Sequence, residues 1–375
     1  LTGNGDVNFQ GGGNPVINTN QAFQGEYVID AGNTLSLEGQ GDISAAAGVT
    51  NNGSFDVTGS DFDDIRIGHL RGDEENAVLN NGPKNIIITN GDGSEYKGLI
   101  GSGSGGFTVE KGKQVLSGDN SYTGPTYIAD GAELQLGNDS KTGSITSNVT
   151  NDGTLSGQGS MNDLINRGVV SPGTENTFGT LEVKGNYISE GGSLILHQVL
   201  AGDDGDGDRL VVAGNTSGAT DVSVINRGGM GAATVEGIKV ITVGGQSDGT
   251  FNLKGDYVNY RGEQAVVAGA FAYTLNKGGK STPNDGNWYL RSEDKDKKPD
   301  PVDPVDPNHP VDPEHPVDPN HPVDPEHPVD PNHPVDPNHP EYQPGISTYQ
   351  GALGALSNLN KGGFSSFGSR MRSHG

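Results

Sequence analysis

The chain is 375 residues long, with 62 glycines, no cysteine, one tryptophan and a formal charge of −25. Leu, Ile, Val and Phe together make up about 21%, just above the level at which a charged chain stays unfolded. That excludes one large spherical core, and the missing cysteine excludes disulfides, zinc–thiolate sites and thiol redox chemistry. An acidic surface repels phosphate backbones, so no nucleic-acid partner is expected. No stretch approaches the roughly 18 apolar residues of a membrane-spanning helix. The chain opens at Leu1 without a charged-then-apolar leader and reads as a piece of something longer.

From Leu1 to about Lys184 the pattern is short strands between turn residues. Glu26–Ile29, Thr34–Leu37, Asn85–Ile88 and Glu133–Leu136 are short strand patterns, and Thr34–Leu37 and Glu133–Leu136 alternate polar and apolar positions as half-buried strands do. Asn51-Asn52-Gly53, Asn80-Asn81-Gly82, Asn151-Asp152-Gly153 and Asn166-Arg167-Gly168 supply the turns. An antiparallel sandwich of this length needs more bulky apolar residues for two inner faces. A parallel solenoid has a narrow core and uses Gly, Asn and Asp at its corners, so the composition favours the solenoid, with glycine as turn supply.

Two matches by letter lie within this part. Arg71-Gly72-Asp73 is a candidate integrin-type motif, in a polar stretch from Asp61 to Asn76 expected to loop off the solenoid. Gly101-x-Gly103-x-x-Gly106 copies a dinucleotide fingerprint, which needs a helix directly after it. Phe107-Thr108-Val109-Glu110 reads as strand, so a glycine turn is the reading.

At Leu116 to Gly137 the sequence LSGDNSYTGPTYIADGAELQLG carries Asn120, Tyr122, Gly124, Thr126, Gly131, Leu134, Leu136 and Gly137. This resembles the passenger-associated repeat of bacterial autotransporters. Val149–Gly157, Val169–Gly173, Gly179–Val183 and Gly185-Asn186-Tyr187 look like the rungs that follow it. Asp208–Val212, Gly214 and Gly218-Ala219-Thr220, then Gly269–Leu275 and Asn287–Ser292, resemble the start and the closing strands of a pertactin-like autochaperone module.

The resemblance implies an all-β chain: a right-handed parallel β-helix over 1–185 and an autochaperone cap over 186–292. In that cap Phe271, Tyr273, Trp288, Tyr289 and Leu290 would cover the open end of the stack. An uncovered end leaves unpaired N–H and C=O groups above an exposed core.

Between these blocks, Asp203, Asp204, Asp206 and Asp208 form an acidic glycine-rich loop, a candidate calcium loop because closely spaced carboxylates on flexible backbone can wrap that ion. Gly245-Gln246-Ser247-Asp248-Gly249 matches a nucleophile elbow, but strand-like sequence flanks it on both sides where the elbow requires a following helix. A hairpin loop is expected there.

Composition shifts near residue 293. Sixteen of the 21 prolines lie between Pro299 and Pro344, and V-D-P-[N/E]-H-P repeats six times from Val305 to Pro340. Proline at every third position gives polyproline II, so 293–344 reads as a disordered extended linker. The 40 residues from Pro301 to Pro340 span about 120 Å at ~3.1 Å each. Its histidines, His309 to His339, recur on one face ~19 Å apart, too far to share an ion, and no metal or cofactor is assigned. Over 345–375, Tyr349, Leu353, Leu356 and Leu359 make a short helical stripe, weakened by Gly351 and Gly354 at about 1 kcal/mol each. Tyr342, Pro344 and Tyr349 resemble the linker into an autotransporter barrel, which is itself absent.

The resemblance therefore implies a passenger at the surface of a Gram-negative bacterium, or released from it, that adheres or self-associates. Its partners would be its own C-terminal outer-membrane β-barrel and a host cell-surface or matrix ligand or neighbouring passengers. The chain is expected not to be an enzyme. The competing reading is a β-helix enzyme acting on polysaccharide, or a passenger with its catalytic domain upstream. A further reading makes the fragment secretion machinery alone.

Overall fold

Residues about 21 positions apart lie side by side through the early coils: Asp64 beside Asn85, Ile86 beside Phe107, Glu26 beside Gly48. This repeat is the coil of a parallel β-helix, seen in a computed structural model that describes residues 1–304. The hexad repeat from Val305 and the helical stripe at 349–359 lie outside the described residues. Among the described residues every element is a strand.

From Asp64 on, each coil contributes one strand to each of three parallel faces, while the coils before it contribute to two. The first face runs from Asp64–Ile67 to Thr216–Ser217. The second starts at Asp6–Phe9 and passes His69–Arg71. It continues through a parallel bridge between Gly72 and Tyr96 into the eight strands that end at Thr250–Leu253. The third runs from Val16–Ile17 to Leu99–Gly101 and then from Asp119–Asn120 to Ile238–Val243.

Stacking in register puts like positions above one another. Ile86, Phe107, Thr126, Val149, Leu164 and Tyr187 form one inward column, and all are buried. The core is a thin rod built from one or two such residues per strand, which explains how about 21% of large apolar residues is enough. At several glycines the need is close approach rather than turning. A Cβ at Gly68 would overlap the Ala47 carbonyl, and one at Gly105 would overlap the Lys84 carbonyl, each on the coil before.

Parallel stacking continues to Leu253. Beyond it Ile238–Val243 takes an antiparallel neighbour, Trp288–Asp294, which pairs with Phe271–Lys277, then Gln264–Ala268, then Tyr257–Val258. The loop 245–249 is therefore not a hairpin. Its flanking strands belong to the third and second faces, and the loop crosses the end of the first face between them, with Ser247 in a parallel bridge to Thr216.

Candidate functional site

The antiparallel segment closes the rod with aromatic rings. Trp288 meets Phe251 edge-on at 5.3 Å between centroids, and Phe251 stacks on Tyr187 at 5.9 Å. Tyr273 is fully buried. Its hydroxyl donates to the Ala201 carbonyl at 2.6 Å and accepts from the Ala232 N–H at 3.0 Å, so one side chain ties together two loops of the last coils. Leu290 is buried opposite Leu275 on the paired strand, Tyr289 donates to Asp285 at 2.5 Å, and Phe271 is half-buried against the core.

The repeat residues also act as clamps between coils. Asn120 accepts the Ile100 N–H at 2.8 Å and donates to the Ser144 carbonyl at 3.2 Å, reaching one coil in each direction. The Tyr122 hydroxyl shares a 2.7 Å hydrogen bond with Thr126, which in turn meets Ser147 at 2.6 Å, and burial pushes the Tyr122 phenol up. Gly124 lets the chain pass the Gly105 backbone, while Leu134 and Leu136 are core residues.

Arg71-Gly72-Asp73 does not loop off the solenoid. Arg71 ends the strand His69–Arg71, and Gly72 is laddered to the next coil, donating to the Glu95 carbonyl at 3.0 Å. Arg71 lies on the outer face, 3.3 Å from Asp92 and 3.1 Å from the Ser94 hydroxyl. The Asp73 side chain is 90% exposed. Next to it, His69 is buried between Glu26 at 2.6 Å and Asp92 at 3.3 Å. Burial alone would raise the Glu26 carboxyl, but hydrogen bonds from His69 and Thr50 outweigh it and hold the carboxyl below its ordinary value.

The acidic loop does not gather its carboxylates. Asp203 accepts the N–H groups of Val235, Glu236 and Gly237 at 2.8, 2.9 and 3.2 Å. These overcome burial and hold its carboxyl low. Asp208 is buried and accepts from the backbone of His197 and of Gly179. Asp204 and Asp206 are exposed. Among the described residues no group of three or more His, Asp or Glu side chains is placed to hold a metal ion.

A groove on the second face was not anticipated. Lys113, Glu133, Gln135, Ser156, Ser171 and His197 line its narrow part, of about 100 Å³. It opens past Thr174, Glu175 and Arg227 into a mouth of about 610 Å³ that includes Phe178 and Asp206. The reason is a short coil. Only 15 residues separate Val149 from Leu164, and a single residue, Gln158, forms that coil's corner between Thr154–Gly157 and Gly159–Met161. The longer corners on either side meet across the gap. Thr174 and Asn176 donate to Asp139 at 2.6 and 3.0 Å, which holds the Asp139 carboxyl low.

Inside, Ser156 donates to Glu133 at 2.7 Å, and Lys113 lies 3.8 Å from the same carboxylate. Asp208 meets His197 Nδ1 at 2.9 Å, fixing the orientation of the imidazole.

Comparison with known proteins places this geometry. Residues 160–275 match the family model of the type 1 autochaperone domain. Over 266 residues, 69% of the chain, the sequence is 41% identical to the adhesin BmaC autotransporter of Brucella suis biovar 1 (strain 1330), covering 7% of that protein. It is 45% identical over 123 residues to the autotransporter adhesin AIDA-I of Escherichia coli, 32% of the chain and 9% of the relative. It is 35% identical over 207 residues to the probable autotransporter YfaL of E. coli K12, 52% of the chain and 14% of the relative. The chain thus spans a small fraction of each of these proteins.

Proposed function

We propose that this chain, an autotransporter passenger with a type 1 autochaperone module, is a non-enzymatic adhesive segment held at the surface of a Gram-negative bacterium. It would be carried on its proline spacer above its own outer-membrane β-barrel, with 1–185 as passenger rungs and 186–292 as autochaperone. The observation that carries this reading is the capped stack. Three parallel faces end in an aromatic plug made of Tyr187, Phe251 and Trp288. Each coil contacts its neighbours, so a plug folded first gives the preceding coil a surface on which to form. Long flat strand faces suit many weak contacts in parallel.

The test is display of the full-length protein on cells with 1–115 or 186–292 removed. The reading expects the first deletion to keep export and lose adhesion or aggregation, and the second to lose folded surface protein. Folded surface protein without 186–292 would end the autochaperone assignment. Adhesion that survives removal of 1–115 would move the adhesive face elsewhere.

A further inference from the structure

We propose that the groove at the corner of the second and third faces binds a neutral saccharide. This rests on the adhesive reading above and names the ligand class and the site. The cavity of about 610 Å³ falls in the roughly 300–1,000 Å³ range of small-ligand sites. His197, at least nine-tenths buried, lines this mouth and also the adjoining cleft of about 100 Å³, where Glu133, Gln135, Ser156 and Ser171 are equally buried. Asp208 fixes the imidazole and Ser156 fixes the Glu133 carboxylate. Polar groups ordered beforehand lose little freedom when a ligand arrives.

The chemistry is a mixture of carboxylate, amide, hydroxyl, imidazole and guanidinium, which matches a ligand whose hydroxyls both donate and accept. Charge excludes the acidic sugars. Lys113 and Arg227 line the groove with Glu133, Glu175 and Asp206, so carboxylates outnumber fixed cations and a uronate or sialate would be repelled. Phe178, half-buried in the mouth and outside the apolar core, offers a ring to the C–H face of a pyranose. An extended peptide would need a free strand edge, and the strands beneath the groove are paired on both sides.

The test is a printed array of neutral, sialylated and sulfated oligosaccharides probed with the full chain, alongside host-cell binding. Phe178→Ala and Arg227→Ala change the mouth only, and equal thermal midpoints confirm that they fold. The expected result is capture by neutral glycans, weakened at least tenfold by Phe178→Ala and several-fold by Arg227→Ala, with Arg71→Ala unaffected. Capture by acidic glycans alone, or neutral binding untouched by both variants, overturns the proposal. Release of reducing ends from a captured glycan overturns it in favour of an enzyme. Cells bound equally by wild type and Phe178→Ala, with no glycan captured, remove the groove and leave the adhesin reading intact. Binding to neither cells nor glycans removes both.

Discussion

Replacing Trp288 by alanine tests the plug. Trp288 is 8% exposed, lies edge-on to Phe251 and pairs with Ile241 of the last third-face strand. Removing a buried aromatic of this size costs about 3–5 kcal/mol, and each 1.36 kcal/mol is tenfold in an equilibrium. Opening of the terminal coils should therefore rise roughly 10²- to 10⁴-fold. In a stack where each coil touches only its neighbours, the loss should decay with distance from the end. Hydrogen exchange followed by mass spectrometry should show protection lost over 187–253 and preserved over 26–101. Trp288→Phe supplies the control. The indole Nε1–H is buried without a hydrogen-bond partner, so phenylalanine keeps the ring contact and leaves no acceptor unsatisfied, and should cost far less. Uniform deprotection along the chain, or equal losses for alanine and phenylalanine, would refute the argument.

Three further outcomes are expected. Glu26→Gln should destabilise at pH 7. The carboxyl is held below its unfolded value of ~4.3, so its contribution is complete above that value and disappears as pH falls through the lower folded one. Urea melts of the two proteins should therefore approach each other as pH falls below the unfolded value of ~4.3, and a constant gap would refute the pairing with His69. Asp203→Ala should cost ~1–3 kcal/mol by removing the acceptor of three N–H groups, while calcium at about 1 mM should leave the wild-type midpoint unmoved; a calcium-dependent rise would restore the calcium loop. Gly68→Ala should cost ~1–3 kcal/mol by forcing adjacent coils apart at Ala47, read as a lower thermal midpoint, whereas an unchanged midpoint would mean the corner can relax.

Much of this fold is legible in the sequence because the strand signal is local. The short apolar-rich runs at Glu26–Ile29 and Asn85–Ile88 give strands with those same limits. Neighbour relations are harder, since they depend on coil length. The Asp61 to Asn76 stretch is polar and reads as loop, yet Ile65 and Ile67 point inward, and Arg71 sits in a ladder completed by Tyr96, 24 residues from Gly72. The four aspartates at 203–208 are close in sequence, but their acceptors serve N–H groups at 235–237, 197 and 179, which no local pattern reveals. Strand-like sequence on both sides of 245–249 suits a hairpin as well as a crossing from one face to another, and only the sheet assignment separates the two.

The groove shows why irregular repeats matter more than their average. Successive first-face positions are 21 residues apart early on, then 23 from Thr126 to Val149, 15 to Leu164, 23 to Tyr187 and 29 to Thr216. The extra length emerges at one corner, between second-face and third-face strands, at 137–142, 173–179 and 199–208. Insertions in a solenoid collect on one side because the strands that carry the core cannot lengthen without losing register. A 15-residue coil between longer ones removes the floor of that corner. The flanking loops close over the gap through Asp139, and outward side chains such as Gln135 and Ser156 become buried without entering the core. The site is therefore encoded by spacing: a deletion in one coil and insertions in its neighbours, which regular rungs would not produce. Restoring about six residues at Gln158 should fill the groove while leaving the inward column from Ile86 to Tyr187 in place.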